Sequence, residues 1–302
     1  MKYQKPSITA FILTYNEEQH LSRCIESLLP VVNRICIIDS YSQDRTAEIA
    51  KKYGVDFFQN PWKNHAVQFQ WGLDNINIVD EWTMKIDADE FLEPELQESI
   101  KKFTTNPESY NAAFFRRKIV FMQQAITHGF FYPAMMLRLW KTGQGHIEQR
   151  WMDEHVIVQN SNTATLSGDL VDANLNDLSW WTQKHVGYAT REVYDIIATR
   201  EKLRAEVSAE HLSGQAKRKR FLKERVYAKL PTSVRSSCYF LYRYILGRGF
   251  LDGKAGFFFH FLQGYWYRTL VDAKLLELEV TAKQQNITPY ELLKRQGIWD
   301  TN

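Results

Sequence analysis

No stretch of this sequence reaches the roughly twenty consecutive apolar residues that a membrane-spanning helix needs. The opening residues, MKYQKPSITAFILTYNEE, hold no apolar core of the kind a secretory signal carries. A cytoplasmic location is the expectation that follows. Cysteine is scarce: Cys24, Cys36 and Cys238 are scattered and lack metal-ligand spacing. That pattern argues against a disulfide framework and fits a reducing compartment. Internal repeats and low-complexity segments are absent as well.

What is present suits a globular protein. The chain has 302 residues, 44% of them apolar, enough for one packed domain with an appendage or for two small domains. Its net charge of +3 is unevenly spread. Between His211 and Phe250 stand ten Lys or Arg residues and one acid, Glu224, so this window carries +9 and the remainder about −6. From Tyr239 to Arg268, twelve of thirty residues are Phe, Tyr or Trp, against 14% in the whole chain. A module boundary is placed near residue 210. It divides a catalytic domain at 1–210 from a basic, aromatic helical extension at 211–302.

The first hundred residues alternate between two hydrophobic periods. Ser7 to Thr14 is an apolar, β-rich run that predicts a buried strand. A helix is expected from Glu17 to Leu28, capped by Asn16, and a strand from Arg34 to Asp39. Asp44 is expected to cap a helix running to Lys52. A third strand at Val55 to Phe58, a helix over Ala66 to Asn75 and a fourth strand at Trp82 to Asp87 follow, and Pro94 opens another helix. Residues 110–170 read as mixed strand and loop, and Trp180 to Ala209 as mostly helical. The alternation predicts an α/β fold, a mostly parallel twisted sheet with helices on both faces. Such sheets bind ligands beyond the carboxyl ends of their strands.

Acidic residues collect at those ends. Asp87-Ala88-Asp89 leaves the fourth strand, and two carboxylates so spaced can reach one hard cation such as Mg²⁺ or Mn²⁺. A cation there would neutralise the charge on a departing pyrophosphate. The plainer alternative is a solvated turn, with Glu90 and Glu93 as helix-start charges. Asp39 ends the second strand, where a carboxylate accepts the N3–H of a uracil ring or else only caps a turn. Glu17 follows the first strand, within reach of a base or ribose.

The runs FILTYNEE, IIDSYSQDRT and MKIDADEFLEPEL resemble the family-two inverting glycosyltransferases, which have the GT-A fold. The likeness is strong over residues 5–105 and closest to bacterial enzymes of lipopolysaccharide core, capsule and exopolysaccharide synthesis. It implies that Thr14, Glu17 and Asp39 line a nucleoside pocket, that Asp87 lies near ribose and metal, and that Asp89 ligates the metal. Lys63 and Gln68 match positions near the nucleotide more loosely. Ser40-Tyr41-Ser42 stands where the family often has Gly-Ser, a departure that alters the backbone path. The resemblance further implies Mg²⁺ or Mn²⁺, a nucleotide-sugar donor such as a UDP-sugar, and a saccharide or lipid-linked acceptor.

An inverting transfer needs a base for the acceptor proton. The segment RWMDEHVIV offers Asp153, which matches the family's base position best, and Glu154 beside it. His155 is a candidate for holding the metal or diphosphate, and His185 is a second. The basic, aromatic tail predicts peripheral attachment to the inner face of an anionic membrane, with packing inside a helical subdomain or homodimer as the alternative. Aromatic residues within apolar helical stretches suit nucleic acid poorly. Two rivals remain. A nucleotidyltransferase would want a Gly-rich basic loop where Thr14-Tyr15-Asn16-Glu17-Glu18 is acidic, and a non-catalytic membrane adaptor would have no use for intact Asp39, Asp87 and Asp89.

Overall fold

The computed structural model describes residues 6–148, 150–151, 154–201, 203 and 232–298. Its centre is β1 (Ile8–Thr14), buried along its whole length. β1 lies between two parallel neighbours, β2 (Arg34–Asp39) and β4 (Trp82–Asp87), and β3 (Asp56–Gln59) extends the sheet beyond β2. The continuous apolar run of β1 follows from this position, because a strand covered on both faces has no solvent side to alternate toward. Its side chains serve two cores. Ile8, Ala10 and Ile12 pack with Leu21, Cys24, Ile25 and Leu28 of α1 (Leu21–Leu28) and with Leu96 and Ile100 of α4 (Pro94–Thr105). Phe11 and Leu13 point the other way, toward Ala66 and Phe69 of α3 (His65–Asn75).

The parallel half matches the expected alternation, and α2 (Thr46–Tyr53) and α3 lie where helices were predicted. Two caps differ. The first helix starts at Leu21 rather than Glu17, because Asn16 sits at φ 56° and its side chain accepts the Gln43 N–H instead of a helix N–H. Asp44 accepts the Thr46 N–H and hydroxyl, so it fixes the turn ahead of α2. The β1–α1 and β2–α2 loops are thereby tied together.

Beyond β4 the sheet is mixed, in the order β4-β8-β6-β11-β5. β8 (Ala134–Lys141) runs antiparallel to β4 and β6 (Ala112–Phe121), and β11 (Thr163–Ala173) is parallel to β6. A short β7 (Gln124–Ile126) pairs with β6, and β9 (Gly145–Ile147) pairs with β10 (Val156–Val158) in a separate ribbon. β5 (Glu90–Leu92) was not foreseen. It folds back antiparallel on β11, setting Glu90 opposite Asp172. The β11 register shifts between Thr165 and Asp169, where Gly168 adopts φ +84° against the start of α4.

The C-terminal layer is helical. α5 (Leu178–Arg200), capped by Asp177, packs Ala189, Val193 and Ile197 against Tyr267, Val271 and Leu275 of α8 (Tyr267–Gln284). α6 (Thr232–Leu241) and α7 (Gly253–Phe261) precede α8, and α9 (Pro289–Arg295) follows it behind a Thr288/Glu291 capping box. Phe259 of α7 packs on Phe121 and Ile126 of the sheet. Asp252 accepts the N–H groups of Thr127 and His128, fastening the helices to the β7 end. The boundary placed near residue 210 and the basic run from Lys217 lie outside the described residues.

At Gly168 a Cβ would meet the backbone of Glu95 and Leu96, and the positive φ disfavours any L side chain. Gly168→Ala should therefore lower the unfolding free energy by more than about 1 kcal/mol, the scale at which an incompatible backbone position outweighs the entropy gained from the new side chain. Urea melts of both proteins check this, and an unchanged midpoint refutes it.

Candidate active site

Register builds the site. Thr14 is opposite Asp39, and Leu13 is opposite Asp87, so the ends of β1, β2 and β4 deliver their polar residues to one edge. Asp39 is buried. It accepts from the Thr14 hydroxyl at 2.8 Å, the Ser42 N–H at 2.9 Å, the Ser42 hydroxyl at 2.5 Å and the Gln59 amide at 3.3 Å. Tyr41, at φ 60°, turns the chain so that Ser42 faces back to Asp39, which is how Ser40-Tyr41-Ser42 replaces a glycine turn. Gln68 is buried and donates to the Ser40 hydroxyl and the Asn60 carbonyl, both at 3.1 Å, bracing the loop from behind. Lys63 is exposed on the β3–α3 loop.

Glu17 pairs with Nδ1 of buried His20 at 2.7 Å. Nε2 of His20 accepts the Leu175 N–H at 2.8 Å, so the ring proton lies on Nδ1 and is donated to Glu17. Burial pushes the Glu17 carboxyl above its ordinary range, and the Asp89 charge adds to this.

The Asp87-Ala88-Asp89 turn is held by groups the sequence reading missed. Buried Arg138, on β8, donates one nitrogen to Asp87 at 2.8 Å and to Glu90 at 2.6 Å. Glu90 also accepts the Asp87 N–H at 2.9 Å. It is thus a buried clamp on the motif and not a solvated helix-start charge. Burial pushes the Glu90 carboxyl up to about 8. Burial would raise Asp87 too, but Arg138 and Lys85 outweigh it and hold that carboxyl well below its ordinary range. Asp89 accepts from the Asn174 amide at 3.0 Å, and its carbonyl receives Arg23 at 3.2 Å. Asp172, brought alongside by the β5 fold-back, is pushed up to about 6 by burial and by Asp89.

Asp153 lies outside the described residues. Glu154 is 3.3 Å from Nζ of Lys85, itself 4.0 Å from Asp87. Burial opposes the Glu154 charge, but Lys85 and His65 outweigh it and keep the carboxyl ionised. His155 pairs with Glu148 at 3.2 Å. His185 stacks on Trp181 at 3.5 Å between centroids and bonds that residue's carbonyl, so it is committed within its own helix.

Among the described residues no three His, Cys, Asp or Glu side chains form a metal-ligand cluster. The donor set still suits Mg²⁺ or Mn²⁺. Asp87 and Asp89 supply hard carboxylate oxygens, and Mg²⁺ is commonly held by one or two carboxylates with substrate phosphates completing its shell.

The signals for the missed residues were in the sequence. Lys85 in WTMKID and Arg138 in MMLRLW interrupt apolar strands, and a charge within a buried strand needs a buried partner. Removing Arg138 would leave buried Glu90 and half-buried Asp87 without the cation they share. Arg138→Met should cost about 3–5 kcal/mol of stability, measured by denaturant melts. A loss under about 1 kcal/mol would mean that Asp87 and Glu90 are satisfied without it.

The chain is similar in sequence to known proteins. The sequence profile described as Glycosyl transferase family 2 matches residues 9–165. A protein of Rickettsia felis named as an uncharacterized glycosyltransferase is 36% identical over 94 residues, 31% of this chain and 32% of that protein. The lipopolysaccharide core biosynthesis glycosyltransferase LpsC of Rhizobium meliloti is 38% identical over 99 residues, covering 31% of this chain and 36% of LpsC. These matches span about a third of the length of the curated relatives. Among solved structures, S. aureus TarS 1–349 in complex with UDP-GlcNAc aligns with 94% of this chain and 93% of its own, at 12% identity and TM-score 0.45. The three motifs at the sheet edge and a profile match over more than half of the sequence lead to one assignment: the chain belongs to glycosyl transferase family 2.

Proposed function

We propose that this chain transfers a sugar, with inversion, from a nucleotide-sugar to an acceptor hydroxyl on a saccharide or lipid-linked saccharide. The observation that carries this reading is the parallel register that gathers Thr14, Asp39, Asp87 and Asp89 at one edge. Asp39 and Thr14 receive the base, and a UDP-sugar is the donor that suits a buried carboxylate acceptor. A uracil N3–H would displace one of the four donors now on Asp39, and the hydroxyl protons of Thr14 and Ser42 are the two that can turn to another acceptor. Asp87 and Asp89 would hold Mg²⁺ or Mn²⁺, which when bound neutralises the departing diphosphate. The acceptor oxygen attacks the anomeric carbon as the sugar–phosphate bond breaks, and its proton passes to Asp153 or to Glu154. Within the described residues, Glu154 is restrained for that task by its ion pair with Lys85. The likeness to LpsC favours a lipopolysaccharide-type acceptor.

Asp89→Ala should abolish transfer from UDP-sugars while leaving the melting curve intact, because Asp89 sits at a half-buried strand exit. Excess chelator should do the same to the wild-type protein. Full turnover under either condition refutes a metal-dependent transfer.

The C-terminal layer supports attachment to an anionic bilayer. No helix among the described residues is long and apolar enough to cross a membrane. Yet Leu241, Ile245, Leu246, Phe250, Leu251 and Phe258 are all exposed, with Leu246 69% accessible. Arg248 and Lys254 are exposed among them. Exposed apolar side chains with cations among them fit a headgroup layer, where rings and aliphatic chains insert and each nearby Lys or Arg adds about 1 kcal/mol. Phe259 and Tyr267 of the same segment are buried. Full-length protein should sediment with anionic liposomes at low salt, and Leu246→Glu with Leu251→Glu should leave it in the supernatant. If the wild type instead stays in solution as a dimer that the double variant splits, the patch joins two copies and the membrane reading fails.

A further inference from the structure

The loop leading into α5 is fixed at the acidic edge, where the Asn174 amide donates to Asp89 at 3.0 Å and the Leu175 N–H to His20 at 2.8 Å, so the first turns of α5 start there. Trp180, Lys184, Tyr188 and Arg191 follow at spacings of four, four and three, so they form a stripe on one helix face. Nζ of Lys184 stands 4.5 Å from the Trp180 ring centroid and 5.8 Å from that of Tyr188, whose hydroxyl bonds it. The Lys184 charge acts on Glu17 after β1, Asp89 after β4, Asp172 on β11 and His65 at the head of α3. Further along the stripe, Arg191 lies 5.6 Å from the Tyr188 ring and 5.9 Å from Trp62 on the β3–α3 loop. The stripe thus runs from the Asp87-Ala88-Asp89 turn to the loop beside the expected nucleoside pocket.

A diphosphate approaching this edge meets Glu17, Asp39, Asp87, Asp89 and Asp172, all carboxyl groups. A divalent cation offsets two charges. Other described cations at this edge are committed: Arg138 to Asp87 and Glu90, Lys85 to Glu154, Arg117 to Asp172, and Arg23 to the Asp89 and Ala173 carbonyls. Lys184 is different. It is spread over several acids at longer range and braced by two rings, and a salt bridge of under 4 Å to any one of them is not among its contacts. An ammonium so placed spends one donor on Tyr188 and keeps the others for an incoming anion.

We propose that Lys184 binds the diphosphate of the donor and stabilises it as the leaving group, with Tyr188 positioning the ammonium. This rests on the nucleotide-sugar reading given above. The helix that supplies it belongs to the C-terminal layer by its packing, so the donor site is completed by an element beyond the matched residues 9–165. His185, the neighbour that the sequence suggested for this role, faces Trp181 instead.

The test is titration calorimetry with Mn²⁺ present. UDP, GDP, ADP and CDP are each offered to the wild type, and the one that binds is compared with its own nucleoside. Lys184→Met keeps the apolar stem over Trp180 and removes the charge. Its affinity for the diphosphate should fall by at least about tenfold, the lower scale for losing a hydrogen bond to a charged group, while affinity for the nucleoside changes less than about twofold. Lys184→Arg should retain diphosphate binding within about threefold, since charge and reach are kept. Melting curves establish that each variant is folded. If Lys184→Met binds the diphosphate as the wild type does, or loses nucleoside and diphosphate equally, Lys184 serves only to neutralise its acidic neighbours and the proposal fails. If the wild type binds none of the four diphosphates, the donor reading itself falls.

Discussion

Repulsion among carboxyl groups governs this molecule. Parallel pairing in register sets Thr14 beside Asp39 and Leu13 beside Asp87, and the fold-back of β5 adds Glu90 and Asp172. Unit charges a few ångströms apart in a partly dry edge repel by several kcal/mol, so the cluster persists only with fixed cations or with protons on some of its members. Both devices are present. Arg138 bridges Asp87 and Glu90 on one nitrogen, and Glu90 and Asp172 are pushed toward their protonated forms. Lys85, Lys184 and Arg117, which is 3.6 Å from Asp172, supply further positive charge. A site strained in this way gains from any added cation, and that is the physical case for divalent-metal binding in the proposed reaction.

The parallel half was legible in the sequence because its signals are local. Ile8 to Thr14 is apolar throughout, α4 opens on Pro94, and each acid stands one step past an apolar run. What stayed hidden depends on contacts distant in sequence. Nothing within a few residues of Arg138 tells that its partners are Asp87 and Glu90, about fifty positions earlier. Asn16 reads as a helix cap by type and place, yet a tertiary hydrogen bond to Gln43 claims its side chain and delays the helix by a turn. Glu90 reads as a surface charge because the strand that buries it pairs with β11, some eighty residues on. The acids that gather at this edge were therefore legible, and the residues that set their charge were not.

Gly168 connects the two halves of this picture. The register shift in β11 occurs where Gly168 lets the strand pass close to the first turn of α4. Past the shift, Asp169 resumes pairing with Arg116 of β6, and its carbonyl accepts the Glu93 N–H ahead of α4. Three residues later Asp172 faces Glu90. Were the strand to keep its earlier register, Leu170 and not Asp172 would stand opposite Ile119, two residues off along β6 and on the same face. The bulge therefore decides which side chain of β11 reaches the acidic edge.

The C-terminal layer is tied to the site by a division of labour on α5. One face of that helix carries Ala189, Val193 and Ile197 into the core shared with α8, and Glu192 anchors it to Tyr267 at 2.8 Å and Arg268 at 2.6 Å. The other face carries Trp180, Lys184, Tyr188 and Arg191 toward the acids. A rigid apolar seam on one side fixes the angle at which the charged stripe is presented on the other. The same layer divides its aromatic residues: Phe259 and Tyr267 fill cores while Phe250 and Phe258 stay exposed. Under the proposed function, a membrane contact made through the exposed rings would reach the donor site by way of α8 and α5. Any shift of α8 that disturbed the seam would move Lys184 relative to Asp89, because the interlocked side chains of a packed interface do not slide independently.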